Sequence, residues 1–173
     1  MFTRYTGNRQ FDLQLNRTFQ PILDRAGMNA IAATTLPQLR STREITTFAQ
    51  RLAERFSSEG DADAAWRLYE LAAFYLGAGD PRKGRFIDAM SAAFDEAHKG
   101  LALARHTVPY RGGELTAMRW EADPVHRELA PAGTPHTLVM MNGFDGYAEE
   151  IIDFASHFPT RPFDIITFDG PGQ

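Results

Sequence analysis

The sequence contains no cysteine. That alone excludes disulfides, thiolate metal sites and a cysteine nucleophile, and with them a disulfide-stapled secreted domain. Nor is there a surplus of positive charge: 18 Lys and Arg stand against 22 Asp and Glu, a formal net charge of -4. Binding to a nucleic-acid backbone needs a basic patch, and the short run Arg82-Lys83-Gly84-Arg85 reads instead as a solvated helix face. No apolar window approaches the ~18 residues of a membrane span. The N-terminal stretch Met1 to Asn8 has no apolar run of signal-peptide length. No nucleic acid and no membrane are therefore expected as partners, and a cytoplasmic location is the default. Internal repeats and low-complexity tracts are also missing. What is present is a chain of 173 residues, 43% hydrophobic and 23% charged, which suffices for a globular fold with its own core.

Residues 1 to about 40 show no clean periodicity, although Phe11, Leu13, Leu15, Phe19, Ile22 and Leu23 supply apolar surface. Residues 41 to 100 read as three helices. Ser41-Thr42-Arg43-Glu44 has the spacing of a capping box, and Ile45, Phe48, Ala49, Leu52 and Phe56 follow at helical intervals. Gly60 stops this helix, and Asp61 or Asp63 can cap the next. The second helix carries Trp66, Tyr69, Ala73 and Leu76 on one face and Ala65, Leu68, Ala72 and Tyr75 on the adjacent one, so it is expected to be buried on two sides. Asp80-Pro81 starts the third, with aspartate at the cap and proline in the first turn. Phe86, Ile87, Met90, Ala93, Phe94 and Ala97 line its inner face.

After Gly100 the texture changes. His106 to Tyr110 and Leu115 to Trp120 are short and β-prone, and Arg111-Gly112-Gly113 between them suggests a hairpin. Thr137 to Met141 and Phe163 to Phe168 are apolar runs of the kind found in strands buried on both faces. Between them Tyr147 to Phe158 reads as a helix. Strand, helix, strand is a βαβ unit, hence a parallel sheet with a right-handed crossover. The expected division is a helical segment over residues 1–100 and the first part of a sheet domain over residues 101–173.

In an open parallel sheet ligands gather beyond the carboxyl ends of the strands. Two glycine-bearing turns fall there, Asn142 to Gly146 and Asp169 to Gln173. Each alone can be no more than a tight strand exit. Two on one sheet edge point to a site.

Val139-Met-Met-Asn-Gly-Phe-Asp-Gly-Tyr-Ala-Glu-Glu150 resembles the segment leading from strand three into the first sheet helix of α/β-hydrolases. More narrowly, it is similar to the branch that holds the dihydroxypseudooxynicotine hydrolases, the fungal polyketide-shortening pigment hydrolases and the fermentation-respiration switch proteins. Phe168-Asp-Gly-Pro-Gly-Gln173 resembles the next strand exit of that branch. Trp66 to Pro81 resembles its N-terminal helical segment, and Val108-Pro-Tyr110 the opening of its sheet. The likeness runs over residues 45 to 173. It departs from the pattern at Asn142, where the branch commonly has glycine, which bears on the fine shape of the turn.

The resemblance implies an α/β fold: the N-terminal portion of an α/β-hydrolase, its first four strands, preceded by a helical cap segment. It implies a serine-dependent hydrolase of a carbonyl substrate, either an ester or a carbon–carbon bond next to a ketone, with no cofactor and no metal. The turn after strand three would supply one oxyanion-hole donor. The backbone N–H of Phe144 is the first candidate and that of Asp145 the second; Phe144 and Gly143 would also line the substrate. Asp145 has a second reading as a cap for the helix near Tyr147. Glu149 and Glu150 suit a helix first turn.

The nucleophile of such an enzyme is a serine in a G-x-S-x-G elbow. Ser41, Ser57, Ser58, Ser91 and Ser156 all lie in other contexts, and none of the five histidines has zinc-ligand spacing on a helix. Neighbouring helix residues such as Ser156 and His157 are not expected to face each other. The triad is therefore expected beyond residue 173. The family's strand order would place the next strand beside Thr137 to Met141. The expected partners are a small-molecule substrate and the remaining C-terminal part of the hydrolase domain, and a homodimer is left open. The rival reading is a non-catalytic binding or regulatory module on a hydrolase-like scaffold.

Overall fold

The structure is a computed structural model that describes residues 2–129, 136–143 and 145–171. The chain forms two compact units, Met1–Ala97 and His98–Gln173.

The first unit is helical. Helix α1, Arg9–Phe19, is capped by Asn8, whose side chain accepts from Gln10 N and Phe11 N. This helix escaped the periodicity reading because two polar residues sit on its buried face. Asp12 is 1% exposed and Asn16 8%. Asp12 accepts from the Thr6 N–H at 2.7 Å and the Thr6 hydroxyl at 2.8 Å. The Asn16 carboxamide accepts from Thr3 N at 2.8 Å and donates to Thr3 O at 2.7 Å. Buried polar groups with such partners are tolerated, and here they fasten residues 3–6 along the helix. Helix α2, Met28–Thr34, begins at Gly27, which adopts φ +80°.

Helix α3, Thr42–Glu59, opens on the expected capping box: Glu44 N donates to Ser41 Oγ at 3.2 Å, and Ser41 N to Glu44 Oε2 at 3.0 Å. The Arg40 and Ser41 amides hold the Glu44 carboxylate below its ordinary pKa. Gly60 ends α3 in the left-handed conformation. Asp61 then accepts from Ala64 N at 3.0 Å to start α4, Ala62–Phe74. Helix α4 packs against both α3 and α5, Pro81–Ala97, so the wide apolar surface read from the sequence is buried on two sides. Asp80 accepts from Arg82 N at 2.9 Å at the start of α5. Leu15, Phe19, Ile22, Met28, Leu36, Ile45 and Leu68 are fully buried in the core of this unit.

Among the described residues the second unit holds a four-stranded mixed sheet in the order β1-β2-β4-β3, one α-helix and a short 3-10 turn, Arg127–Leu129. Strands β1, Leu103–Tyr110, and β2, Gly113–Trp120, form the hairpin, both longer than expected. Arg111 and Gly112 turn it with φ +46° and +82°, the handedness that suits a two-residue hairpin loop. Strand β4, Asp164–Phe168, pairs antiparallel with β2 and parallel with β3, Thr137–Met140, in the register Thr137↔Asp164 to Met140↔Thr167. Helix α6, Ala148–Ser156, joins β3 to β4 and packs on β4 and β2. It buries Ile152 and Ala155.

The expectation that β3 and β4 are buried on both faces is corrected. In β4, Ile165 and Thr167 are fully buried while Asp164, Ile166 and Phe168 are partly exposed, so only one face is sealed. On β3, Leu138 is 37% and Val139 58% exposed, and Met141 just beyond it 62%. The reason is position: β3 ends the sheet, and among the described residues it pairs with β4 alone.

Candidate functional site

Because β3 and β4 are parallel, their carboxyl ends emerge at one edge of the sheet. The turn that leaves β3 is built around Asn142. Its Oδ1 accepts from Gly143 N at 2.8 Å and its Nδ2 donates to Tyr147 O at 3.1 Å. Gly146 N reaches Gly143 O at 3.4 Å. A Cβ on Gly146 would collide with the Asn142 carboxamide, so glycine is required opposite this asparagine. Asn142 is thus a side-chain brace across the turn.

Of the candidate residues, Gly143 is exposed and spends its N–H on Asn142. Asp145 is exposed. Phe144 lies outside the described residues. The capping reading of Asp145 is corrected, because the first N–H groups of α6 are met by other carboxylates. Tyr147 N donates to Glu150 Oε1 at 3.0 Å, and Ala148 N donates to Asp169 Oδ1 at 2.7 Å. The second of these carboxylates comes from the exit of β4, 21 residues along the chain.

Asp169, Arg105 and Glu149 form a charged cluster that the sequence did not disclose, with Glu149 buried and the other two half-buried. The Asp169 N–H extends the β2–β4 ladder by donating to Thr116 O at 3.0 Å. Its carboxyl is pushed up to about 6, chiefly by burial and next by the negative charge of Glu149; the Ala148 N–H and Arg105 pull the other way. The Glu149 side chain, only 2% exposed, pairs with Arg105 Nη1 at 2.9 Å. The glutamate read as a favourable first-turn charge is therefore also a buried half of an ion pair with β1. One signal could have revealed Asp169: it continues the alternation Ile165, Thr167, Asp169 on the sealed face of β4. Arg105, in a strand otherwise largely exposed, carried none.

The serines are occupied elsewhere. Ser41 caps α3, Ser58 Oγ donates to Arg55 O at 2.7 Å, and Ser57 Oγ lies 3.4 Å from the Tyr69 hydroxyl. Ser156 and His157 do approach each other, Oγ to Nδ1 at 3.4 Å, contrary to expectation, because His157 is the residue that closes the helix. Both groups are exposed and both face the Asp153 carbonyl, at 2.6 Å from Oγ and 2.9 Å from Nδ1. The hydroxyl proton is directed at that carbonyl, and no strand-to-helix elbow presents the oxygen to a substrate.

A surface cavity of about 480 Å³ is lined by Phe2, Arg4, Gly7, Arg9, Asp12 and Leu13 of the helical unit, and involves neither strand exit. Among the described residues, no group of His, Asp and Glu could hold a metal ion, and no helix is long and apolar enough to cross a membrane.

No family model and no curated protein matches the chain. Solved structures do. One of AbyA5 is similar at a TM-score of 0.57 and 20% identity, over 78% of this chain and 38% of that one. One of wild-type AbyA5 gives 0.58 and 20%, over 88% and 43%. A crystal structure of the 2,6-dihydroxy-pseudo-oxynicotine hydrolase gives 0.47 and 17%, over 91% and 46%. The chain thus spans 38% to 46% of the length of these structures. The AbyA5 likeness shows the fold alone: α-helices and a mixed four-stranded sheet that fit an N-terminal portion of the α/β-hydrolase fold.

Proposed function

We propose that the complete protein is a serine-dependent hydrolase of a carbonyl substrate, an ester or a carbon–carbon bond next to a ketone. In this reading the helical unit serves as its cap and the turn after β3 as one side of its oxyanion hole. The observation that carries it is the parallel β3–β4 pair, which brings the Asn142–Gly146 turn and the Asp169 exit to one edge of a sheet with the hydrolase fold. Attack on a carbonyl builds negative charge on its oxygen, and backbone donors preset at that edge stabilise it. The Phe144 N–H is the first candidate donor and the Asp145 N–H the second. Gly143 has already committed its own N–H to Asn142, so its contribution would be the room it leaves for substrate. The exposed apolar edge of β3 favours the same reading. Leu138, Val139 and Met141 suit an adjoining strand from the rest of the hydrolase domain, which would also carry the nucleophile and its triad partners.

The test uses the complete protein with a fluorophosphonate probe and a panel of activated esters and β-diketones. Labelling of a serine in a G-x-S-x-G elbow, together with turnover of either substrate class, is the expected result. A folded protein that neither labels nor hydrolyses overturns the reading and leaves a binding module. Within an active enzyme, Phe144→Pro removes the donor N–H and should cost about 100- to 1,000-fold in turnover. Phe144→Ala keeps the amide and should lose mainly substrate affinity. Near-native turnover in a folded Phe144→Pro enzyme would move the donor to Asp145.

A further inference from the structure

We propose that Asp169 is a positioning residue for the oxyanion turn: from the exit of β4 it fixes the start of α6, and through it the alignment of the turn that leaves β3, without touching substrate. This rests on the hydrolase reading above but is carried by separate geometry. The Asp169 carboxylate accepts from Ala148 N at 2.7 Å, while the Tyr147 carbonyl, one residue earlier, accepts from Asn142 Nδ2 at 3.1 Å. Two short links therefore connect the exit of β4 to the residue that braces the turn. Asp169 is itself anchored from behind, since its N–H donates to Thr116 O on β2 at 3.0 Å. The turn is thus referenced to β2 and β4, the two strands at the centre of the sheet, and not only to the edge strand β3 from which it springs.

The surroundings of the carboxyl fix what its charge does. Helix α6 presents Glu149 and Glu150, β1 presents Arg105, β2 presents the Thr116 carbonyl, and the turn after β3 carries the exposed Asp145. Arg105 is engaged by Glu149 at 2.9 Å, so the Asp169 carboxylate relies on the Ala148 N–H and the α6 terminus for much of its stabilisation. An ionised acceptor makes the shorter, stronger bond to that N–H. Burial and Glu149 oppose ionisation and bring the group's titration up to about 6. Loss of the charge should loosen the bond in the range where hydrolases commonly work.

The experiment compares wild type, Asp169→Ala and Asp169→Asn of the complete protein in two readouts: residue-resolved amide exchange at Ala148, and kcat and KM for an activated ester across pH 5 to 8. In Asp169→Ala the Ala148 amide should exchange on the order of tenfold faster, the equivalent of one lost hydrogen bond. Turnover should fall by about 10- to 100-fold with KM little changed, as expected when a reacting group is held slightly out of place. Asp169→Asn keeps an acceptor oxygen, so it should restore part of both losses while removing the change in Ala148 amide protection near pH 6 that the wild type shows. Unchanged Ala148 exchange in Asp169→Ala overturns the proposal whatever the activity. So does a kcat equal to wild type in a protein that hydrolyses the ester, and that result leaves the hydrolase reading intact. If no variant hydrolyses anything, the hydrolase reading fails, and the proposal that Asp169 positions an oxyanion turn falls with it. If Asp169→Ala does not fold, Asp169→Asn decides: a pH dependence of Ala148 amide protection identical to wild type refutes the role of the charge.

Discussion

Gly146 to alanine is the substitution that best probes the turn after β3. A Cβ there would collide with the Asn142 carboxamide, the group that accepts from Gly143 N and donates to Tyr147 O. Gly146 is not among the glycines with positive φ, so alanine meets the neighbour and not the backbone. The neighbour is the end of a side chain, which can swing away at the expense of both its hydrogen bonds. Each is worth about 1 kcal/mol net, so Gly146→Ala should cost about 2 kcal/mol, less a few tenths for the stiffer unfolded chain. Asn142→Ala loses the same two bonds and should cost about as much. In the double variant the new methyl has no carboxamide to displace, so the pair should cost about 2 kcal/mol in all where additivity would give about 4. Native-state exchange of the β3–β4 ladder amides reads the stability of this unit separately from the helical one. Additive costs in the double variant, or a Gly146→Ala protein as stable as wild type, would refute the view that Asn142 is what demands glycine.

Ser41→Ala should cost about 1 kcal/mol by opening the capping box of α3, and Ser41→Asp should recover most of it; thermal unfolding followed by circular dichroism measures both. Arg105→Ala strands the buried Glu149 carboxylate without its ion pair and should cost about 3 kcal/mol or more in denaturant unfolding, with Arg105→Ala/Glu149→Gln less damaged than the single variant. The Asp169 carboxyl binds its proton more tightly folded, at about 6, than its ordinary 3.8. Its stabilising contribution is therefore full below about pH 4 and lost as pH rises through 6, a change of about 1–2 kcal/mol after solvent screening. Stability of wild type minus Asp169→Asn, plotted against pH, should fall by that amount, and a flat difference would refute the assignment.

What could be read from the sequence was local. The boundaries of α3, α4 and α5 follow from Ser41, Gly60, Asp61 and Asp80, residues whose effect reaches only three or four positions along the chain. Helix α1 has an equally good cap in Asn8, yet its periodicity was hidden, because Asp12 and Asn16 occupy the buried face. Their partners, Thr3 and Thr6, become visible only when residues 3–6 fold back. The apolar run of β3 correctly named a strand, but its burial depends on what pairs beside it, which no property of Thr137 to Met141 contains.

The same division runs through the site. Glycine-bearing exits after two apolar runs marked the sheet edge, since turn chemistry is written in adjacent residues. The helix cap was not recoverable in that way. A local rule assigns the start of α6 to the nearest preceding carboxylate, Asp145, whereas the bond is made by Asp169, brought there by the parallel register of β3 and β4. Parallel strands require a crossover, so a residue at the end of the second strand faces the start of the helix that connects them. Any βαβ unit offers this exchange between its second strand exit and its own helix. Here an aspartate takes it, and its carboxylate crowds a second one, Glu149, that Arg105 must neutralise from β1. Three residues spread over 65 positions of sequence thus answer to one local need, the unmet N–H groups at the head of a nine-residue helix. On the positioning role proposed for Asp169, the arrangement holds the turn only while all three keep their charges in balance. The variants at Asp169 and Arg105 should therefore interact: Arg105→Ala should raise the pH at which Asp169 titrates, by removing the cation that favours its ionised form. An Asp169 titration unmoved by Arg105→Ala, followed through its side-chain carboxyl carbon by NMR, would show that the two groups act independently.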